Sequence, residues 1–361
     1  MTKGTAKMKT KPGKSGRGAR RPKPKPQPGG PGGKGGGTAG PIEHVVLIIK
    51  ENHSFDNYFG TLPGANGVTL PRSANPPTKD PPHNHAHWLT RKQTAAGEQF
   101  VEQDIPSYFA YARQFTLCDN YFTDVAGPST PNHFMLIAGD STIIDNPRGG
   151  YRTGPAGPTF NLSTLPVALE RAGRTWRNYN GYAFAKIGEL KGKPTLRSAQ
   201  FAIDAAAGNL PHVSWVYADH PESEHPRDVS DPPNPLIGNV THGMQWTSAQ
   251  VNAIVTGGLW PKTVIFITWD DWGGWVDHVE PPKVESWTDG TQFRYGSRVG
   301  CLVLSPYAKS GYISKNLHSH VSLVKFASQI FNIPPLNHRV QAADDMSDCF
   351  DFTQKAAAPP K

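Results

Sequence analysis

Apolar and polar positions along the chain fall into runs of two kinds. "HVVLII" (44–49), "TVIFITW" (263–269) and "RVGCLVLSP" (298–306) are almost continuously apolar. That is the pattern of strands buried on both faces. "VSWVYA" (213–218) alternates and reads as a further strand. Helices are expected over 105–114, over 128–139 behind a Pro-Ser turn, and over 164–172 with Gly173 as its stop. Two more are expected over 248–257 and, as an amphipathic helix, over 321–331. Residues 61–90, rich in Pro, Gly and Asn, read as a long irregular loop. No internal repeat interrupts this alternation. It predicts an α/β fold with a mostly parallel sheet covered on both faces. In such sheets, sites form beyond the carboxyl ends of the strands.

Two strands end alike. "VVLIIK" runs into Glu51-Asn52, and "TVIFITW" into Asp270-Asp271, Gly273-Gly274 and Asp277-His278. In a parallel sheet both clusters lie on one edge. Carboxylates converging there with an amide oxygen repel one another unless a cation sits between them. Oxygen-rich ligation suits Mg²⁺, Ca²⁺ or Mn²⁺, and Zn²⁺ also accepts carboxylates. The glycine pair lets the backbone turn sharply. Read singly, Asp270-Asp271 is better explained as the cap of a following helix or turn, and an ordinary loop is an adequate reading of Glu51-Asn52. Ser129, in "GPSTPNHF", opens a helix beside free backbone N–H groups and the positive dipole end. Metal contact would make its hydroxyl a nucleophile; a plain N-cap serine is the alternative.

Composition changes the picture mainly at the N-terminus. The chain has 361 residues and a formal net charge of +8, but residues 1–40 hold 8 Lys and 3 Arg with no acid and no aromatic residue. The remainder carries 26 Lys and Arg against 29 Asp and Glu. A basic-patch argument therefore applies only to residues 1–40, and no specific nucleic acid is expected as partner. Those residues are expected to form a disordered basic Gly/Pro/Lys-rich tail, either simply solvated or tethering the protein to an anionic surface. No apolar run reaches the length of a membrane span, and no signal-peptide pattern stands at the start. Arg20-Arg21 lacks the apolar segment of a twin-arginine signal. These features alone predict a cytoplasmic protein. Cys118, Cys301 and Cys349, odd in number and widely spaced, fit neither a disulfide framework nor a CxxC site, and are expected as buried free thiols.

The clusters together resemble the phosphoesterase family of non-specific phospholipases C and related acid phosphatases, in the alkaline-phosphatase-like superfamily. "ENHSFDNYFG" (51–60) is similar to that family's opening ENRSFDHYFG. "STPNH" (129–133) is similar to its TxPNR, which puts Ser129, not Thr130, in the nucleophile's place. "DPPH" (80–83), "SEHP" (223–226) and "WDDWGGWVDHVEPP" (269–282) resemble later motifs, in the family's order. The resemblance covers about residues 42–352. It implies a three-layer α/β/α sandwich over residues 41–361 and a metal-dependent phosphoric-ester hydrolase, phospholipase C-like or a small-molecule phosphomonoesterase. It implies Glu51, Asn52, Ser129, Asp270 and Asp271 as metal ligands. His83 and His225 would stabilise the phosphoryl group or protonate the leaving group, and Asn132 would hold a phosphoryl oxygen. It also implies a phosphoester, a phospholipid among them, as substrate, and export as the alternative to a cytoplasmic location. His53, Asn57 and His133 depart from the family's Arg, His and Arg, and place substrate preference at His53 and Asn57, with Asp56 structural.

The remaining histidines and tryptophans divide less sharply. His85 and His87, alternating behind His83, read as a metal pair or as polar loop residues. His242 matches no motif firmly. His278 reads as orienting an acid. His318 and His320 read as exposed or capping before a helix. Trp269, Trp272 and Trp275 wall a cleft or fill the core. A non-catalytic protein binding through its basic tail would leave the ordered Glu-Asn, Ser, Asp-Asp pattern without a purpose.

Overall fold

The computed structural model describes Met1, residues 41–147 and residues 158–360. Apart from Met1, the tail expected over residues 1–40 lies outside the described residues. In chain order the strands are β1 (His44–Lys50), β2 (Thr116–Cys118), β3 (Tyr121–Phe122), β4 (Trp176–Tyr179), β5 (Thr195–Leu196), β6 (Val213–Tyr217), β7 (Thr263–Trp269), β8 (Glu285–Ser286), β9 (Gln292–Arg294), β10 (Cys301–Leu304), β11 (Tyr312–Ser314) and β12 (His318–Ser319). The α-helices are α1 (Phe55–Phe59), α2 (His85–Leu89), α3 (Arg91–Thr94), α4 (Pro106–Gln114), α5 (Ser129–Ala138), α6 (Leu165–Arg171), α7 (Ala199–Ala206), α8 (Val240–Thr256), α9 (His320–Ile330) and α10 (His338–Ala342).

Among the described residues the main sheet has eight strands, ordered β11-β2-β10-β7-β1-β6-β4-β5. β7, β1, β6, β4 and β5 run parallel, and β10 runs antiparallel to both of its neighbours. One helix group joins α5 to α6 and α9, and α9 to α10; the other joins α4 and α7 to α8. These layers cover the two sheet faces and complete the α/β/α sandwich. The burial of β1 and β7 follows: every residue of β7, and all of β1 after His44, is buried. Continuous apolar runs are what a doubly covered strand requires.

Register then fixes where the site lies. Lys50 pairs with Trp269 at the carboxyl ends of β1 and β7, and Ile49 pairs with Tyr217 at the end of β6. Glu51 and Asp270 therefore leave the sheet side by side, as the parallel arrangement predicted. The weaker strands were not expected from pattern alone: β2, β4, β5 and β11 have two to four residues each.

α5 explains the position of Ser129. Pro128 is the extended residue before the helix, and Pro131 lies in the first turn, where its missing N–H costs nothing. Gly139, at φ +63, ends the helix in the left-handed conformation. All ten residues of the helix are buried. A polar residue on it must accordingly find a partner or face a cavity.

Candidate active site

Asn52 follows Glu51 in the left-handed region, at φ +65, which asparagine tolerates better than most residues. Its N–H donates to Asp270 Oδ1 at 3.0 Å. Gly273 packs directly over it: a Cβ there would lie 1.9 Å from the Asn52 carbonyl oxygen. The glycine in "WDDWGG" is thus a steric requirement for bringing the two strand ends together. Ser129 Oγ donates to Asp271 Oδ2 at 2.9 Å and lies 3.4 Å from Asn52 Oδ1. Glu51 Oε1 and Asp270 Oδ2 both approach His133 Nε2, at 3.6 and 3.1 Å. The structure therefore joins all five residues expected to hold a cation.

Their electrostatics follow from burial. Burial raises the Asp270 pKa, but the His133 hydrogen bond and charge and the Asn52 N–H outweigh it and pull the pKa down to about 2. Burial and then the Asp270 charge push Asp271 well up. His133 is opposed by burial, yet the Asp270 and Glu51 carboxylates raise it to about 10. A buried carboxylate pair driven apart in this way is the environment a divalent cation relieves. Carboxylate, amide and hydroxyl oxygens also match such an ion. The residues present fit one; they do not select among Mg²⁺, Ca²⁺, Mn²⁺ and Zn²⁺.

A cavity of about 370 Å³ opens beside this cluster. Glu51 and Ser129 line it together with His83, His225, Asp80 and His220. Thr130 does not reach it; its hydroxyl meets the Tyr182 hydroxyl at 3.0 Å. His83 Nδ1 donates to the Pro81 carbonyl at 2.7 Å, and His225 Nδ1 to the Pro226 carbonyl at 2.6 Å. His83 Nε2 in turn accepts from the Asn52 amide Nδ2 at 3.2 Å, while His225 keeps Nε2 toward the cavity. Burial lowers the His83 pKa, but the charges of Asp271 and Asp80 prevail and raise it. Trp272 Nε1 donates to the His83 carbonyl at 3.0 Å and steadies its loop.

The loop carrying His225 is anchored by its neighbour. Glu224, fully buried, pairs with Lys50 at 3.3 Å and accepts from Tyr58, Tyr108 and Trp269 at 2.6–2.9 Å. The "SEHP" motif therefore holds one residue for the core and one for the cavity.

Several expectations need correction. Asn132 is buried and does not line the cavity: Oδ1 accepts from Val125 N at 2.8 Å, and Nδ2 reaches the carbonyls of Val125, Gly127 and Pro128. Its amide fixes the loop that enters α5 and is not available to a phosphoryl oxygen. His53 and Asn57 are also buried away from the cavity. They bond each other at 2.6 Å, and His53 Nε2 meets the Glu224 carbonyl at 3.0 Å. They support the site and do not face substrate. His318 and His320 are fully buried, neither exposed nor merely capping; His320 Nε2 donates to the Asp270 carbonyl at 2.7 Å.

His85 bridges the Ala126 carbonyl and Thr291, and His87 bonds Asn84, so they form no metal pair. His278 does orient an acid: its Nδ1 lies 2.7 Å from Asp56 Oδ2, and Asp56 in turn pairs with the buried Arg298 at 3.1 Å. Arg298, which the sequence reading passed over, also holds Asp277 at 3.0 Å and so ties α1 to the loop after β7. His242 bonds Glu222 at 3.4 Å outside the cavity lining. Trp269, Trp272 and Trp275 are buried supports. Asp80 and His220 are further cavity residues; Asp80 stands three residues before His83 in "DPPH", and His220 lies in "DHP" (219–221), just before the "EHP" of 224–226.

This sheet order and site position define an alkaline-phosphatase-like fold. Residues 42–96 and 78–334 match the model of the Phosphoesterase family, and the chain belongs to that family. It is 28% identical over 414 residues to the non-hemolytic phospholipase C of Pseudomonas aeruginosa, covering 88% of this chain and 58% of that protein. It is 25% identical over 420 residues to phospholipase C A of Mycobacterium tuberculosis, covering 88% and 78%. Among solved structures, murine ectonucleotide pyrophosphatase/phosphodiesterase 5 superposes with a TM-score of 0.52 at 10% identity, covering 85% of this chain and 100% of that one. That likeness concerns the fold alone. The chain spans 58–61% of the length of the first two curated relatives it matches.

Proposed function

We propose that this chain hydrolyses phosphoric esters in the manner of a phospholipase C, with Ser129 as nucleophile. The observation that carries this reading is Ser129 Oγ at the N-terminus of α5, bonded to Asp271 at 2.9 Å and facing the cavity shared with His83 and His225. Glu51, Asn52, Asp270 and Asp271 would hold a divalent cation there. When bound, such a cation supplies positive charge to the phosphoryl oxygens and lowers the pKa of the serine hydroxyl. Ser129 donates its proton toward Asp271 Oδ2, which leaves its lone pairs for phosphorus. The free N–H groups and dipole of α5 favour the anionic group being attacked. As the P–O bond to the alcohol breaks, His225, or His83 once its Nε2 has left the Asn52 amide, acts as the imidazolium and gives the leaving oxygen its proton from Nε2, becoming neutral. Water then hydrolyses the phosphoserine.

Two named relatives are phospholipases C, which favours a phospholipid substrate. The polar side of the cavity, with His83, His220 and His225, suits a phosphoryl group whatever its alcohol, which keeps a phosphomonoester as the second reading. A panel of phosphatidylcholine, other phospholipids and soluble monoesters, with and without chelator, separates them. Ser129→Ala is expected to lose on the order of 10³-fold or more in kcat. Chelation is expected to abolish turnover, and metal to restore it. Full activity in Ser129→Ala, or indifference to chelator, would discard the mechanism.

A further inference from the structure

Outside the cavity lining, the structure gathers two thiols, an imidazole and two carboxylates around β2 and the C-terminal segment. Cys118 ends β2, His318 opens β12, and Cys349 and Asp348 lie in the C-terminal segment. Cys118, Cys349 and His318 are all fully buried. One ligand atom from each of these three lies within 4.8 Å of the others. We propose that Cys118, Cys349, His318 and Asp348 form a structural zinc site, separate from the catalytic cluster.

The distances carry the argument. A tetrahedral Zn²⁺, with Zn–S near 2.3 Å and Zn–N or Zn–O near 2.0–2.1 Å, sets its ligand atoms about 3.8 Å apart for S–S, about 3.6 Å for S–O and about 3.3 Å for N–O. Here Cys118 Sγ lies 3.7 Å from Cys349 Sγ, Cys349 Sγ lies 3.6 Å from Asp348 Oδ1, and His318 Nε2 lies 3.3 Å from Asp348 Oδ1. Three of the six edges of the tetrahedron are at length; the four ligand atoms do not all stand within 4.8 Å of one another, so the side chains must close as the metal enters. The shell behind them is also built. Asp344 Oδ1 stands 2.9 Å from His318 Nδ1, a little off the ring N–H direction, where it leaves Nε2 for the metal. Ser314 Oγ lies 2.5 Å from Asp348 Oδ2, and Tyr312 OH 3.3 Å from the same oxygen, which frees Oδ1. Ser314 Oγ also lies 2.8 Å from His318 Nε2 and must release it when the metal enters. Zn²⁺ takes both sulfurs as thiolates and His318 through a bare Nε2, so binding releases the two thiol protons and the Nε2 proton that the ring carries between Asp344 and Asp348. The consequence is a clasp: it fixes the C-terminal segment to β2 and to the start of α9. Two residues past His318, His320 holds the Asp270 carbonyl.

The test uses the full chain, purified and loaded with Zn²⁺ or Co²⁺. The catalytic cluster contains no sulfur ligand. A thiolate-to-cobalt charge-transfer absorption therefore reports this site alone. Wild type is expected to show the band, and the Asp270→Asn/Asp271→Asn double variant is expected to keep it along with one zinc per chain. Cys118→Ser and Cys349→Ser should each remove the band, and Asp344→Asn should weaken zinc binding 10- to 100-fold. If the cysteine variants fail to fold, X-ray absorption on wild-type zinc protein still counts sulfur neighbours. Zinc-loaded wild type without sulfur ligation, or Cys118 and Cys349 recovered as a disulfide, would overturn the assignment.

Discussion

His53 shows how one residue beside the site is governed by the core. It sits among Tyr58, Phe100 and Trp275, with ring centroids 4.5–5.8 Å away. Burial drives its pKa down from 6.5 to about 4. A cation held by the neighbouring Asn52 would push it the same way. Between pH 6.5 and 4 the unfolded chain binds a proton here that the folded chain refuses. Its contribution to stability is thus whole above pH 6.5, falls as the pH drops toward 4, and falls no further below. The full loss is about 3 kcal/mol. Urea midpoints measured from pH 8 to pH 4 should decline steeply in wild type. The His53→Asn protein, weaker at pH 8, should decline less. Equal slopes in the two proteins would mean that His53 titrates normally.

At the scale of elements, the site depends on how the β1 and β7 ends are turned. Gly273, at φ +57, lets the loop after β7 lie against Asn52. Gly273→Ala pays both for a left-handed alanine, roughly 1–2 kcal/mol, and for moving the Asn52 carbonyl. Gly290, at φ +83 with no atom within 4 Å of a built Cβ, isolates the first cost. Gly290→Ala is expected to lose about 1 kcal/mol of stability and keep its turnover. Gly273→Ala is expected to lose more stability and at least tenfold in kcat, read by thermal unfolding and steady-state assay of the same preparations. Matching behaviour in the two variants would remove the steric role given to Gly273.

The same element pair explains what could be read in advance. β1 and β7 announced themselves because strands buried on both faces need unbroken apolar sequence. Their polar ends followed from a parallel register. β4, β5 and β11 were illegible because such short strands owe their existence to a neighbour, not to a pattern. The misread polar residues share one cause. Asn132, His53, His318 and His320 are buried by partners distant in the chain, which spacing does not reveal. Cys118, Cys301 and Cys349 are buried free thiols, as expected; spacing did not reveal that the pairing of β2 with β11 and the return of the C-terminus bring Cys118 and Cys349 together.

Over the whole molecule, charge is divided unevenly. Residues 1–40 carry 11 Lys and Arg and no acid, while the rest is slightly acidic. If the substrate is a phospholipid, the enzyme must first reach a membrane, whose anionic lipids would attract this basic segment, and no helix among the described residues is long and apolar enough to cross one. Each Lys or Arg near such a surface contributes about 1 kcal/mol. Three or four engaged together would raise affinity roughly 10²- to 10³-fold. The attraction is screened as the Debye length shrinks from about 8 Å at physiological salt to about 3 Å at 1 M. Sedimentation with phosphatidylserine-containing vesicles should therefore show binding at low salt that fades by 1 M. Deleting residues 2–40 should abolish it and leave hydrolysis of a soluble monoester unchanged, because Ser129, His83 and Asp271 all belong to the rest of the chain. Vesicle binding that survives the deletion would instead assign membrane contact to the folded body, and the basic segment would then be a solvated extension with no part in catalysis or docking.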